Sequence, residues 1–145
     1  MTALAPTIKL ATRQIAKPWG RKVLPAPFSN QGSDQIGEIW FEAASGDALP
    51  LMIKYLFTSE KLSIQVHPSD VQAKAMGLGS GKEECWLVLD AEPGATLGIG
   101  TQRPLSDEDL RAAALDGSIE ALVDWKPVQR GDFFYIPAGT VHAIG

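Results

Sequence analysis

Short apolar runs separated by turn residues recur through most of this chain. Gly37-Glu38-Ile39-Trp40-Phe41-Glu42 reads as a strand, and Leu51–Phe57 is a strongly apolar run of β-favouring residues. Further strands are predicted at Ser63–His67, Glu84–Asp90, Ala95–Ile99 and Phe133–Ile136. Turn chemistry punctuates them at Ser45-Gly46-Asp47, at Pro93-Gly94 and across Val128–Asp132. Thr58–Lys61 turns Leu51–Phe57 into Ser63–His67, which predicts a hairpin. Helical signals are few. Ser69 is placed to cap a helix through Asp70–Met76, ended by Gly77, Gly79 and Gly81. Ser106 caps a second, with Asp107, Glu108 and Asp109 in its first turn. Asp116-Gly117-Ser118 breaks it, and a short third helix runs to about Val123. Met1–Gly20 reads as an irregular arm with a short strand near Thr7–Leu10, and Pro25–Gly32 as loop. Many short strands with helices confined to inserts predict an all-β barrel or sandwich.

One strand breaks the ordinary pattern. If Ser63–His67 is extended, Ser63, Gln65 and His67 share one face and Ile64 and Val66 the other. A strand serving only a core would place Val, Ile or Leu on its inner face. A hydroxyl, an amide and an imidazole in a row, closed by Pro68, read instead as half of a metal or ligand site.

Composition narrows the class without changing the fold. The 145 residues are 45% hydrophobic and 21% charged, an ordinary balance for one globular domain spanning 1–145. A net charge of −4 argues against nucleic acid or an anionic membrane as a general partner. No apolar run reaches transmembrane length, and the first twenty residues, with Lys9, Arg13 and Lys17, do not read as a secretory signal. Cys85 is the sole cysteine, so no intramolecular disulfide forms, which suits a reducing, cytoplasmic setting. Its apolar flanks predict an inert, buried thiol.

The second half of the site comes from the other histidine. His67 and His142 are the only two in the chain, and His142 follows the Pro137-Ala138-Gly139 turn. A side chain just past a tight turn is held by backbone geometry, as a metal ligand must be. Glu84 opens a strand on which Glu84, Trp86 and Val88 share one face, with Cys85, Leu87 and Leu89 on the other. A single histidine on a strand is ordinarily packed or solvated. Two in separate strand-end motifs, with a carboxylate at a third strand start, point to a metal. Gln65, His67, Glu84 and His142 form a borderline-to-hard donor set suited to Zn²⁺, and also to Mn²⁺, Fe²⁺ or Co²⁺. Tyr55 and Trp86 read as core. A His/His/carboxylate dioxygenase is disfavoured by the fourth ligand, because oxygen chemistry needs more open positions.

These motifs resemble a known family. Gly131-Asp132, Pro137-Ala138-Gly139 and His142 are similar to the second cupin motif, and Gln65-Val66-His67-Pro68 with Gly81-Lys82-Glu83-Glu84-Cys85-Trp86 to an altered first one. That variant, with Lys17-Pro18-Trp19-Gly20, resembles the type I mannose-6-phosphate isomerases. The resemblance implies a cupin-like β-barrel or jelly roll with short helical inserts, incomplete at its C-terminal end. It implies zinc held by Gln65, His67, Glu84 and His142, substrate and phosphate contacts from Ser63 and Lys82, and Lys82 and Glu84 as catalytic candidates. The implied reaction interconverts mannose 6-phosphate and fructose 6-phosphate through a cis-enediol. The family pattern continues past the second histidine with further strands and an arginine implicated in catalysis, whereas Gly145 is the last residue here. A homodimer completing the barrel, or a non-catalytic module binding metal or sugar phosphate, is therefore also expected.

Overall fold

The structure, a computed structural model, describes residues 7–145. They form strands joined by loops and three short helices, and every strand pairing is antiparallel. The all-β class with helical inserts is thus what the sequence predicts. Two compact units divide at Glu60 and Lys61.

The first unit is a three-stranded meander of β1 (Ala11–Arg21), β2 (Ile36–Glu42) and β3 (Ile53–Leu56), in the order β1-β2-β3. The irregular arm expected over Met1–Gly20 is corrected here. Residues 11–21 are a strand, Thr7–Leu10 is not, and the first six residues lie outside the described ones. Pro18 and Gly20 hid the strand. Its register slips after Ile15 and again after Ala16, so these two residues sit where the ladder is interrupted. Leu24, Ile36, Ile39 and Phe57 form the buried core, with Phe28 and Tyr55 packed on it. Tyr55 is accordingly a core residue. The Phe28 and Tyr55 rings meet edge to face at 4.8 Å. Glu38 is buried on β2, where it accepts from Trp40 Nε1 at 2.7 Å and Lys54 Nζ at 2.9 Å.

The second unit, Lys61–Gly145, carries the candidate chemistry. Its helices are α1 (Asp70–Ala75), α2 (Asp107–Asp116) and α3 (Ile119–Leu122). Ser69 and Gln72 make a reciprocal capping box on α1, and the Ser106 hydroxyl accepts from Asp109 N–H at 3.1 Å on α2. Strand β4 (Glu84–Leu87) pairs with β7 (Phe133–Ile136). Strand β5 (Thr96–Thr101) lies between β6 (Val123–Pro127) and β8 (His142–Ile144). Strands β6 and β8 are additions to the sequence prediction. The first begins where α3 ends, and the second is three residues long. Among the described residues no helix is long and apolar enough to cross a membrane.

Two further expectations are corrected. Ser63–His67 is not a ladder strand, and β3 pairs with β2. Only Gln65 makes a bridge, to His142. Val66 is 49% exposed, so its side chain has no core to fill. Cys85 is exposed, not buried. The alternation on β4 turns Glu84 and Trp86 inward and Cys85 and Leu87 outward.

Candidate metal centre

Backbone hydrogen bonds bring the two histidine segments together. Gln65 N–H donates to His142 O at 2.9 Å, and His142 N–H returns a bond to Gln65 O at 2.8 Å. Residues paired in this way across an antiparallel bridge turn their side chains to the same face. Pro137-Ala138-Gly139-Thr140 is a tight turn in which Thr140 N–H reaches Pro137 O at 3.2 Å. Gly139 supplies its positive φ of 80°, which a side chain would resist. The same glycine donates its N–H to His67 O at 2.8 Å, so the turn that aims His142 also holds His67.

Glu84 arrives from the far end of a closed loop. Lys82 N–H donates to Pro68 O at 3.0 Å and Gly81 N–H to the Asp70 carboxylate at 2.8 Å. Helix α1 and its glycines are thereby tied off as a loop, and the chain re-enters beside His67. One ligating atom from each of His67, Glu84 and His142 lies within 4.8 Å of the others. His67 Nε2 is 3.6 Å from Glu84 Oε1, and His142 Nε2 is 3.4 Å from Glu84 Oε2.

The protonation pattern is legible from the partners. His142 Nδ1 lies 2.8 Å from Thr140 O, an acceptor, so Nδ1 carries the proton and Nε2 of the neutral ring is a bare lone pair. That Nε2 is buried and has no hydrogen-bond partner, although a carboxylate oxygen is close by. A lone pair facing a carboxylate out of reach of water is unfavourable unless a cation lies between them. Donor type, spacing and the orphaned nitrogen all fit a divalent ion of zinc type. The Trp86 ring stands edge-on to His142 at 5.5 Å and walls this side.

Lys82 reaches into the same cluster. Its ammonium lies 2.6 Å from Glu84 Oε1 and 3.1 Å from His67 Nε2. Burial alone pushes the Glu84 carboxyl up. The hydrogen bond and charge of Lys82 hold it below the ordinary carboxylate range.

Of the residues singled out in the sequence, His67, Glu84, His142 and Lys82 converge. Gln65 is placed opposite His142, but its amide donates to Ser63 Oγ at 3.3 Å and its side chain is exposed, as is Ser63. Two participants escaped the sequence reading. Thr140 sets the His142 tautomer through a backbone carbonyl that no residue type signals. Trp86 reads as core from the sequence, yet its position two residues after Glu84 on one strand face puts it beside the site.

No family model matches this chain. It is 40% identical over 105 residues to the mannose-6-phosphate isomerase of Streptococcus mutans, across 72% of this chain and 33% of that protein. It is 38% identical over 117 residues to mannose-6-phosphate isomerase ManA of Bacillus subtilis, across 76% of this chain and 37% of that one. The chain therefore spans about a third of the length of these relatives. Its fold is similar to the crystal structure of the mannose 6-phosphate isomerase from Bacillus subtilis, with a TM-score of 0.76 and 26% identity over 94% of this chain and 54% of that one.

Proposed function

We propose that this chain, a relative of the mannose-6-phosphate isomerases over some three quarters of its length, holds the metal-binding part of an aldose–ketose isomerase. The substrate pair is mannose 6-phosphate and fructose 6-phosphate, interconverted through a cis-enediol. Residues 1–145 would act as one catalytic domain in the cytoplasm. His67, Glu84 and His142 would hold Zn²⁺, with Gln65 as a fourth ligand through its amide oxygen. The observation that carries this reading is the buried, partnerless His142 Nε2 beside the Glu84 carboxylate.

When bound, the ion supplies Lewis-acid stabilisation of the negative charge that develops on the sugar oxygens. The chain's own groups do the rest. In the aldose-to-ketose direction the C2–H proton is removed and its electron pair forms C1=C2, while the displaced C1=O pair takes up a proton at O1 to give the enediol. A proton then returns to C1 while the O2 proton leaves, giving the ketone. Lys82, with three N–H donors and a half-exposed side chain, is suited to hold an anionic substrate oxygen. Ser63, exposed two residues before Gln65, is suited to a hydroxyl contact. Glu84 fixes both Lys82 and the histidines, so its loss removes ligand and organiser together.

The test is direct. The purified chain, loaded with Zn²⁺, is incubated with mannose 6-phosphate in D₂O and followed by NMR. Formation of fructose 6-phosphate, or deuterium entering at C2 or C1, supports the isomerase. Bound zinc with neither product nor exchange reduces the chain to a metal-binding module. Failure to retain zinc at all overturns the site.

A further inference from the structure

We infer that Lys82 and the metal compete for His67 and Glu84, so that the lysine is a built-in gate on metal loading; this rests on the metal-site reading above. A lysine ammonium has donors only, so the 3.1 Å contact from Lys82 Nζ makes His67 Nε2 the acceptor. A neutral imidazole has one nitrogen with an in-plane lone pair, and it has only one. The lone pair that would ligate the ion is therefore the one Lys82 occupies. Carboxylate oxygens can be shared among donors; this nitrogen cannot.

Charge acts in the same direction. Lys82 Nζ is 2.6 Å from Glu84 Oε1. A divalent ion about 2.0–2.2 Å from that oxygen would lie no more than roughly 5 Å from the ammonium. Two cations that close repel strongly where both flanking ligands are mostly shielded from water. Lys82 can leave: its side chain is 46% exposed, against 13% for Glu84. Its backbone does not have to move, because Lys82 N–H stays tied to Pro68 O. Metal entry then has a second consequence. It releases an ammonium at the edge of the site, where an anionic ligand can take it up.

His142 is not part of the exchange. Its Nε2 has no hydrogen-bond partner and its Nδ1 is held by Thr140, so it receives the ion whichever way Lys82 points. Entry is thus expected on the buried His142–Glu84 Oε2 side, with His67 joining as Lys82 withdraws.

The experiment measures zinc affinity by chelator competition in the full chain, with no substrate present. Lys82→Met keeps the aliphatic stem and removes the donor and the charge. Displacing a charge-assisted hydrogen bond sets the expected gain, so Lys82→Met binds zinc roughly tenfold to a hundredfold more tightly than the unaltered chain. Lys82→Arg retains charge and donors and stays near the unaltered value. His142→Ala is the control for the site and abolishes tight binding. If zinc binds, His142→Ala abolishes it, and Lys82→Met leaves the affinity unchanged or lower, the gate is refuted while the metal site stands. If zinc binds neither the unaltered chain nor Lys82→Met, both are refuted. Circular dichroism of each variant separates a changed affinity from a failure to fold.

Discussion

Glu38 shows how much one buried carboxylate can depend on its neighbours. It is 6% exposed on β2, and burial alone would push its carboxyl up. Hydrogen bonds from Lys54 and Trp40, with the charges of Lys54 and Lys17, reverse this and hold it below the ordinary value of 4.5. A carboxyl lowered in the folded state contributes stability that is present above its unfolded pKa and lost as pH falls through the folded one. Glu38→Gln removes the charge and one of the two acceptors, because Trp40 and Lys54 donate to different carboxylate oxygens and the amide offers only one. At pH 7 it is expected to cost about 1–3 kcal/mol. As pH falls below 4.5 the gap to the unaltered chain narrows, and it closes once pH has passed through the lowered folded value, where the native carboxyl is protonated too. Urea unfolding of both proteins at pH 7, 5 and 3 reads this directly. A gap that stays constant over the three values sinks the argument. Other carboxylates also titrate in this range, so the difference between the two proteins, not either curve alone, carries the result.

Among the elements, the loop that ends in Lys82 and Glu84 is the most exposed to single changes. A Cβ on Gly81 would lie 2.5 Å from Asp70 N and from the Ser69 carbonyl carbon, which are backbone atoms at a helix start and cannot give way. Gly81→Ala is therefore expected to open the Lys82–Pro68 closure and shift Glu84 away from the histidines. Zinc affinity should fall at least tenfold, since ligands must be placed within tenths of an ångström. Ser69→Ala, which removes the capping box, should cost only about 1 kcal/mol of stability and leave affinity within a few-fold. Equal losses of affinity in the two variants would show that the loop does not position Glu84. The helices here were legible in the sequence because their caps are local chemistry: Ser69 with Gln72, Ser106 with Asp109. Strand β1 was not, since Pro18 and Gly20 mask a strand whose pairing comes from residues of β2, 15 to 31 positions away. The histidines and Glu84 stand out by type and spacing, whereas Lys82 is singled out only by the resemblance to the mannose-6-phosphate isomerases. The exposed state of Cys85 follows from the same alternation that faces Glu84 inward, which prevails over its apolar flanks. The bond from Lys82 to His67, and the Thr140 carbonyl on His142, depend on loop closure that no residue pattern states.

At the scale of the whole molecule, the three proposed ligands come from different stretches of chain that backbone hydrogen bonds bring together. All lie in the second unit. His67 hangs on an extended segment, Glu84 on the two-stranded β4–β7 sheet, and His142 on the β6-β5-β8 sheet. A bound ion would join all three, so its binding energy falls on the contacts between them rather than on any one element. Zinc at a hundredfold excess over its dissociation constant stabilises the bound state by about 2.7 kcal/mol, equivalent to a hundredfold slowing of exchange for amides that open only with the site. The Gln65, Gly139 and His142 amides are such groups, since each is bonded across the junction between the histidine segments. The Leu110 amide bonds to Ser106 O within α2, which supplies no ligand. Hydrogen exchange with and without saturating zinc should therefore slow Gln65, Gly139 and His142 by up to two orders of magnitude and leave Leu110 nearly unchanged. Slowing confined to β4, with the Gly139 and His142 amides unaffected, would mean that the ion sits on Glu84 without bridging the sheets. The fold would then hold its histidines together by backbone alone.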